Sequence, residues 1–96
     1  MTTPSRRIVS IATFERLEYP RIKSILVDGD ALPETFDDWC LDLERKAAEL
    51  RRDAAAIVSP IIAPDKLLEW CRVRGVQPSR DACDQLAFEL AQTAPI

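Results

Sequence analysis

The chain has 96 residues, 47% of them hydrophobic and 30% charged, which suffices for one core, is too little for two, and is the balance of a folded domain. It contains no histidine, which removes the commonest general base, the commonest zinc ligand and every Ser-His or Cys-His nucleophile. With a net charge of −3 and only two glycines, Gly29 and Gly75, it has neither an overall basic footprint for nucleic acid nor a phosphate-cradling loop.

No run approaches the roughly 18 consecutive apolar residues of a membrane span, and the start of the chain lacks the continuous apolar stretch of a signal peptide. The expectation is a cytoplasmic protein with no membrane contact. A single α+β domain is expected over residues 7–93, with flexible ends at 1–6 and 94–96.

The first apolar segment, residues 8–14, is rich in β-branched side chains and reads as a strand. Residues 21–27 read as a second strand, ended by the turn signal Asp28-Gly29-Asp30. The two are expected to pair as a hairpin, or else the first serves as an arm that pairs with another molecule.

A helix is expected from Pro33 to about Ala55, with Pro33 at its first position and Glu34, Asp37 and Asp38 at the positive end of its dipole. Phe36, Trp39, Cys40, Leu43, Ala47, Leu50 and Ala54 recur at steps of three and four and form one apolar stripe. Residues 56–62 then read as a short strand that Pro60 confines to a sheet edge or breaks with a bulge.

Pro64-Asp65 opens another helix, with Leu67, Trp70, Cys71 and Val73 inward and Gly75 as its stop. Ser79 caps a last helix with Ala82, Cys83, Leu86, Ala87, Leu90 and Ala91 on its apolar face. The expected order is β-β-α-β-α-α, a short sheet packed against two or three helices.

Two stretches align at an offset of 31 residues: Leu26-Val27 with Ile57-Val58, and Pro33 to Cys40 with Pro64 to Cys71. The shared pattern suggests two successive β-α units. Trp39-Cys40 and Trp70-Cys71 would then be equivalent pairs, either lining one cleft or serving as the largest pieces of a small core.

Charge falls in blocks: residues 1–27 carry +3, residues 28–44 carry −7, residues 45–53 carry +2 and residues 54–96 carry −1. A solvated helix that complements its own dipole accounts for part of this pattern. The functional alternative is an acidic surface made by Asp28, Asp30, Glu34, Asp37, Asp38 and Asp42, offered to a basic partner or imitating a nucleic-acid backbone.

Three cysteines, Cys40, Cys71 and Cys83, at spacings of 31 and 12 suggest neither a disulfide framework nor a metal clip. All three fall on predicted buried faces, where a thiol is inert. The carboxylate pairs Asp28/Asp30, in a loop, and Asp38/Asp42, on one helix face, could in principle do acid/base work, while Asp28-Gly29-Asp30 lacks the ligand run and terminal Glu of a calcium loop and reads as a turn. No catalytic residue, metal site or cofactor is expected.

The leading expectation is therefore a small non-enzymatic interaction or accessory module that forms a homodimer or binds a protein partner. Its size and charge blocks are similar in type to small accessory proteins of bacteria and their mobile elements. An acidic inhibitor or nucleic-acid mimic, anti-CRISPR-like in type, is the alternative. A helix-turn-helix regulator is the second alternative, because residues 67–79 join two helices through a short glycine-containing turn. Direct contact with DNA is disfavoured, since the last helix carries one base, Arg80, against Asp81, Asp84 and Glu89.

Overall fold

Ile8–Ser10 forms strand β1 and Ala56–Val58 forms strand β2 in a computed structural model that describes residues 8–52 and 56–93. The strands run parallel, with Ile8 opposite Ala56, Val9 opposite Ile57 and Ser10 opposite Val58. Pairing continues past them, because Ile11 N–H donates to the Val58 carbonyl at 2.9 Å and Ile62 N–H to the Thr13 carbonyl at 2.8 Å. Pro60 interrupts the strand as its missing N–H requires, yet its carbonyl still accepts from Thr13 N–H at 3.0 Å and from the Thr13 hydroxyl at 2.9 Å.

Parallel strands need a crossover, and here it consists of two helices, α1 at Tyr19–Ile25 and α2 at Phe36–Leu50. After β2 come α3 at Pro64–Arg74 and α4 at Arg80–Thr93. Short 3-10 turns occupy Arg16–Glu18 and Gly29–Ala31. Among the described residues the chain is a small α+β domain of four helices and one two-stranded sheet, in the order β-α-α-β-α-α.

This order corrects the expected second strand. Residues 21–25 lie in α1, and Tyr19, Ile22 and Leu26 are all buried, with Ile25 half-buried beside them. Those positions follow the helical step of three and four, and Pro20 fits the first turn, so the β-branched residues pack as a helix face. The expected hairpin is therefore absent. The segment at 8–14 pairs instead, along one edge, with residues 56–62 of the same chain.

α2 also starts later than expected. Thr35, with extended backbone, is its N-cap, and its hydroxyl accepts from Asp38 N–H at 3.1 Å. Pro33 stays in the preceding loop, where its carbonyl accepts the Tyr19 hydroxyl. The helix ends at Leu50 rather than near Ala55; residues 53–55, like the expected flexible ends at 1–6 and 94–96, lie outside the described residues.

The proposed repeat does not survive these boundaries. Leu26-Val27 closes a helix while Ile57-Val58 belongs to β2, and Trp39 sits one turn into α2 whereas Trp70 lies past the middle of α3. The shared residues reflect similar helix entries in sequence, not equivalent units in space.

The core gathers Phe14, Tyr19, Ile22 and Trp39 from the first half with Ile62, Leu67, Cys71, Cys83, Leu86 and Ala87 from the second. Rings of Phe14 and Trp39 lie 5.0 Å apart, and Phe36 meets Tyr19 edge-on at 5.7 Å. α3 closes on Gly75 in the left-handed conformation, φ +68°, with Val76 N–H reaching back to the Cys71 carbonyl at 3.0 Å. That six-to-one bond is the Schellman close that glycine permits.

Candidate functional site

The six acidic residues singled out in the sequence are divided by the fold. Asp28 turns away to α4, where its carboxylate accepts the Arg80 N–H at 2.9 Å while the Ser79 hydroxyl accepts Ala82 N–H at 3.1 Å. It thus helps to cap a helix, a structural task. Asp37 pairs with Arg16 at 2.7 Å, and that guanidinium also lies over the Phe36 ring at 4.8 Å. Asp42 pairs with Arg45 one turn along α2 at 2.9 Å. Asp30, Glu34 and Asp38 stand exposed near the start of α2.

The more distinctive geometry lies beneath α2. Trp39 is its only buried residue, and Leu43, Ala47 and Leu50 on the same stripe are half-exposed. Because the helix is seated by its first turns and stands off further along, two hollows remain between it and the rest of the domain. One, of about 220 Å³, has Trp39, Leu43, Ile11 and Phe14 as apolar walls and Asp42, Lys46, Arg80 and Asp84 around them. The other, of about 290 Å³, is walled by Ile11, Leu43, Ala47 and Ile57 with Glu44 and Arg51 at its margin. They share Ile11 and Leu43 and so adjoin as one groove, lined by apolar side chains and by charges of both signs.

Burial shifts Cys83 and Asp84 on this groove and Cys71 in the core beside it. Burial, reinforced by Asp84, Cys71 and Asp28, pushes the Cys83 thiol up to about 12. Burial likewise raises Cys71, so both thiols stay protonated and unreactive at neutral pH. Asp84, though open to solvent on one side, is crowded by the groove wall, and this desolvation raises its carboxyl against the opposing pull of Lys46 and Arg80, with Asp81 adding to the rise. Among the described residues no three Cys, Asp or Glu side chains gather to hold a metal ion, and no helix is long and apolar enough to cross a membrane.

A second constellation joins α3 to α4. Trp70 Nε1 donates to Glu89 Oε1 at 3.3 Å, Arg74 bonds both Glu89 oxygens at 2.7 and 2.6 Å, and the Arg74 guanidinium lies 4.4 Å from the Trp70 ring centre. Arg74, followed by the Trp70 N–H, holds the Glu89 carboxyl below the usual carboxylate range. Trp70 is thus a fastening of the helix pair, whereas Trp39 walls the groove, so the two tryptophans do not line one cleft.

Of this groove, only the α2 wall follows from the sequence pattern. The α2 stripe was visible in the spacing, but Ile11, Ile57 and Arg80 join it only through the parallel strands and the start of α4. Comparisons with protein-family models, with curated proteins and with solved structures gave no match to this chain.

Proposed function

We propose that this chain is a non-enzymatic protein-interaction module that forms a homodimer or binds a protein partner through α2. The observation that carries the reading is the seating of that helix. Among the described residues α2 is the longest helix and it is strongly amphipathic, yet within it only Trp39 is buried, and a groove lined by apolar and charged side chains runs beside it. Half-covered amphipathic helices and grooves are common docking elements for other chains.

The electrostatics support a protein partner over a nucleic-acid mimic. Asp28, Asp37 and Asp42 are engaged with Arg80 N–H, Arg16 and Arg45, which leaves the acidic block partly neutralised rather than presented as a row of free charges. The exposed residues of α4 include Asp81, Gln85 and Phe88, with Asp84 at the groove, which makes a poor surface for phosphates.

Two measurements test the reading together. A photo-crosslinking residue in place of Ala47, in cells that naturally make the protein, is expected to yield a discrete adduct. Sedimentation equilibrium from micromolar to near-millimolar concentration is expected to detect any self-association. A strict monomer that also forms no adduct would overturn the proposal.

A further inference from the structure

α2 carries a second pattern on a face that borders its apolar stripe at Glu44 and otherwise turns away from it. Asp37, Leu41, Glu44, Arg45, Ala48 and Arg52 follow one another at steps of 4, 3, 1, 3 and 4, which places them on one helical face. All six are exposed, Leu41 at 56%. The steps read the same in both directions while the charges invert: acid, apolar, acid, then base, apolar, base.

Such a face is complementary to itself when reversed. Turning a second α2 end for end about a two-fold axis between Glu44 and Arg45 sets Asp37 opposite Arg52, Leu41 opposite Ala48 and Glu44 opposite Arg45, each relation occurring twice. The antiparallel arrangement also aligns opposite helix dipoles, and Ala48 gives room for Leu41 at ordinary interhelical distance. A parallel arrangement would set acid against acid.

The helix's own dipole does not account for this pattern. Dipole effects fade within the first and last turns, whereas Glu44 and Arg45 lie at mid-helix and, as neighbours in sequence, do not face each other. Docking would replace the pairs that Asp37 and Arg45 make within the chain, to Arg16 at 2.7 Å and to Asp42 at 2.9 Å, with pairs across the interface; both existing pairs are exposed, where an ion pair contributes little stability. Arg52 continues the face beyond the helix end, where its N–H still bonds the Glu49 carbonyl at 3.3 Å.

We infer that a second copy of this chain docks antiparallel along this face of α2, forming a two-fold dimer held by reciprocal ion pairs around a Leu41–Ala48 contact. The inference rests on the interaction-module reading and specifies where its self-association occurs. A face one helix long, ~22 Å by the rise per residue, is smaller than a standard interface, so the dimer dissociates on dilution and weakens with added salt.

Charge reversal decides the matter. R45E/R52E makes the face wholly acidic and D37R/E44R makes it wholly basic. At low salt each variant alone is expected to be monomeric where the unaltered chain is dimeric, its dissociation constant raised more than about tenfold. Mixed in equal amounts, the two are expected to form a heterodimer, which also shows that both are folded. If the unaltered chain dimerises and both variants do so equally well, the face is wrong while the interaction-module reading stands. An unaltered chain that stays monomeric refutes the inference, and the Ala47 adduct alone then decides the broader reading.

Discussion

A methyl group on Gly29 would lie 1.9 Å from the Lys23 carbonyl oxygen, so the turn after α1 can close against that helix only with hydrogen at this position. The closure carries Asp28 to the start of α4 and lets Val27 N–H reach the Pro78 carbonyl at 2.9 Å. Asp28-Gly29-Asp30 is legible in the sequence as a turn. Its helix-capping role is not, because the N–H that Asp28 accepts belongs to residue 80.

Asp84 offers a residue-scale prediction. Its folded-state carboxyl titrates above the unfolded one through desolvation at the groove, so the ionised form costs stability at neutral pH and the cost vanishes as pH falls through the carboxylate range. Asp84→Asn is expected to raise the melting temperature by a few degrees at most near neutral pH, with the gain shrinking to nothing in acid. Thermal unfolding by circular dichroism across that range checks both the sign and the convergence. Glu89 has the opposite linkage: Arg74 and Trp70 depress its carboxyl, so its contribution is present above the unfolded value and is lost on acidification.

The elements differ in how plainly the sequence announced them. α3 and α4 show both their apolar period and their stops, Gly75 for one and Ser79 at the start of the other, and they form where expected, except that Val73, expected inward, is 65% exposed because it falls outside the Leu67–Cys71 stripe that meets the core. α1 did not announce itself, because Ile22, Ile25, Leu26 and Val27 satisfy a strand reading as well as a helical one. Burial of Tyr19, Ile22 and Leu26 on one side settles it, and that depends on distant partners such as Trp39 and Leu67. For α2 the period was legible but its incomplete coverage was not.

That coverage has a measurable result. Beyond Trp39 the helix has no fully buried side chain, so its second half is held by fewer contacts than α3 and α4, which bury Leu67, Cys71, Ala82, Cys83, Leu86 and Ala87. Amide exchange followed by NMR is expected to be faster at residues 44–50 than in the central turns of α3 and α4. Equal protection in dilute solution would mean that this half of α2 is covered by more than the groove allows.

Across the whole molecule, the two halves of the chain share one core rather than stacking as units. Phe14, Tyr19, Ile22 and Trp39 meet Ile62, Leu67, Cys83 and Leu86 in a single cluster, and the parallel ladder joins residues 8–13 to 56–62. Separate reporters on the two sides are therefore expected to melt together. Trp39 senses the aromatic cluster and Trp70 the α3–α4 fastening, so Trp70→Phe and Trp39→Phe leave one probe on each side. In each variant, fluorescence and circular dichroism are expected to give coincident unfolding curves, the signature of one cooperative unit. Resolved transitions would divide the core. The sequence disclosed one domain by its length, but the sharing of the core follows from the crossover, which composition and periodicity do not specify.

The parallel ladder also bears on the order of events during synthesis. A hairpin lets a first strand find its mate within a few residues of emerging, but β1 has no partner until residues 56–62 have been made. The Asp28 carboxylate must wait longer still, for the backbone of residue 80. Until then the apolar residues of β1 and α1 remain on a growing chain without their native cover, the kind of non-local dependence that delays folding and leaves a nascent chain open to misassociation.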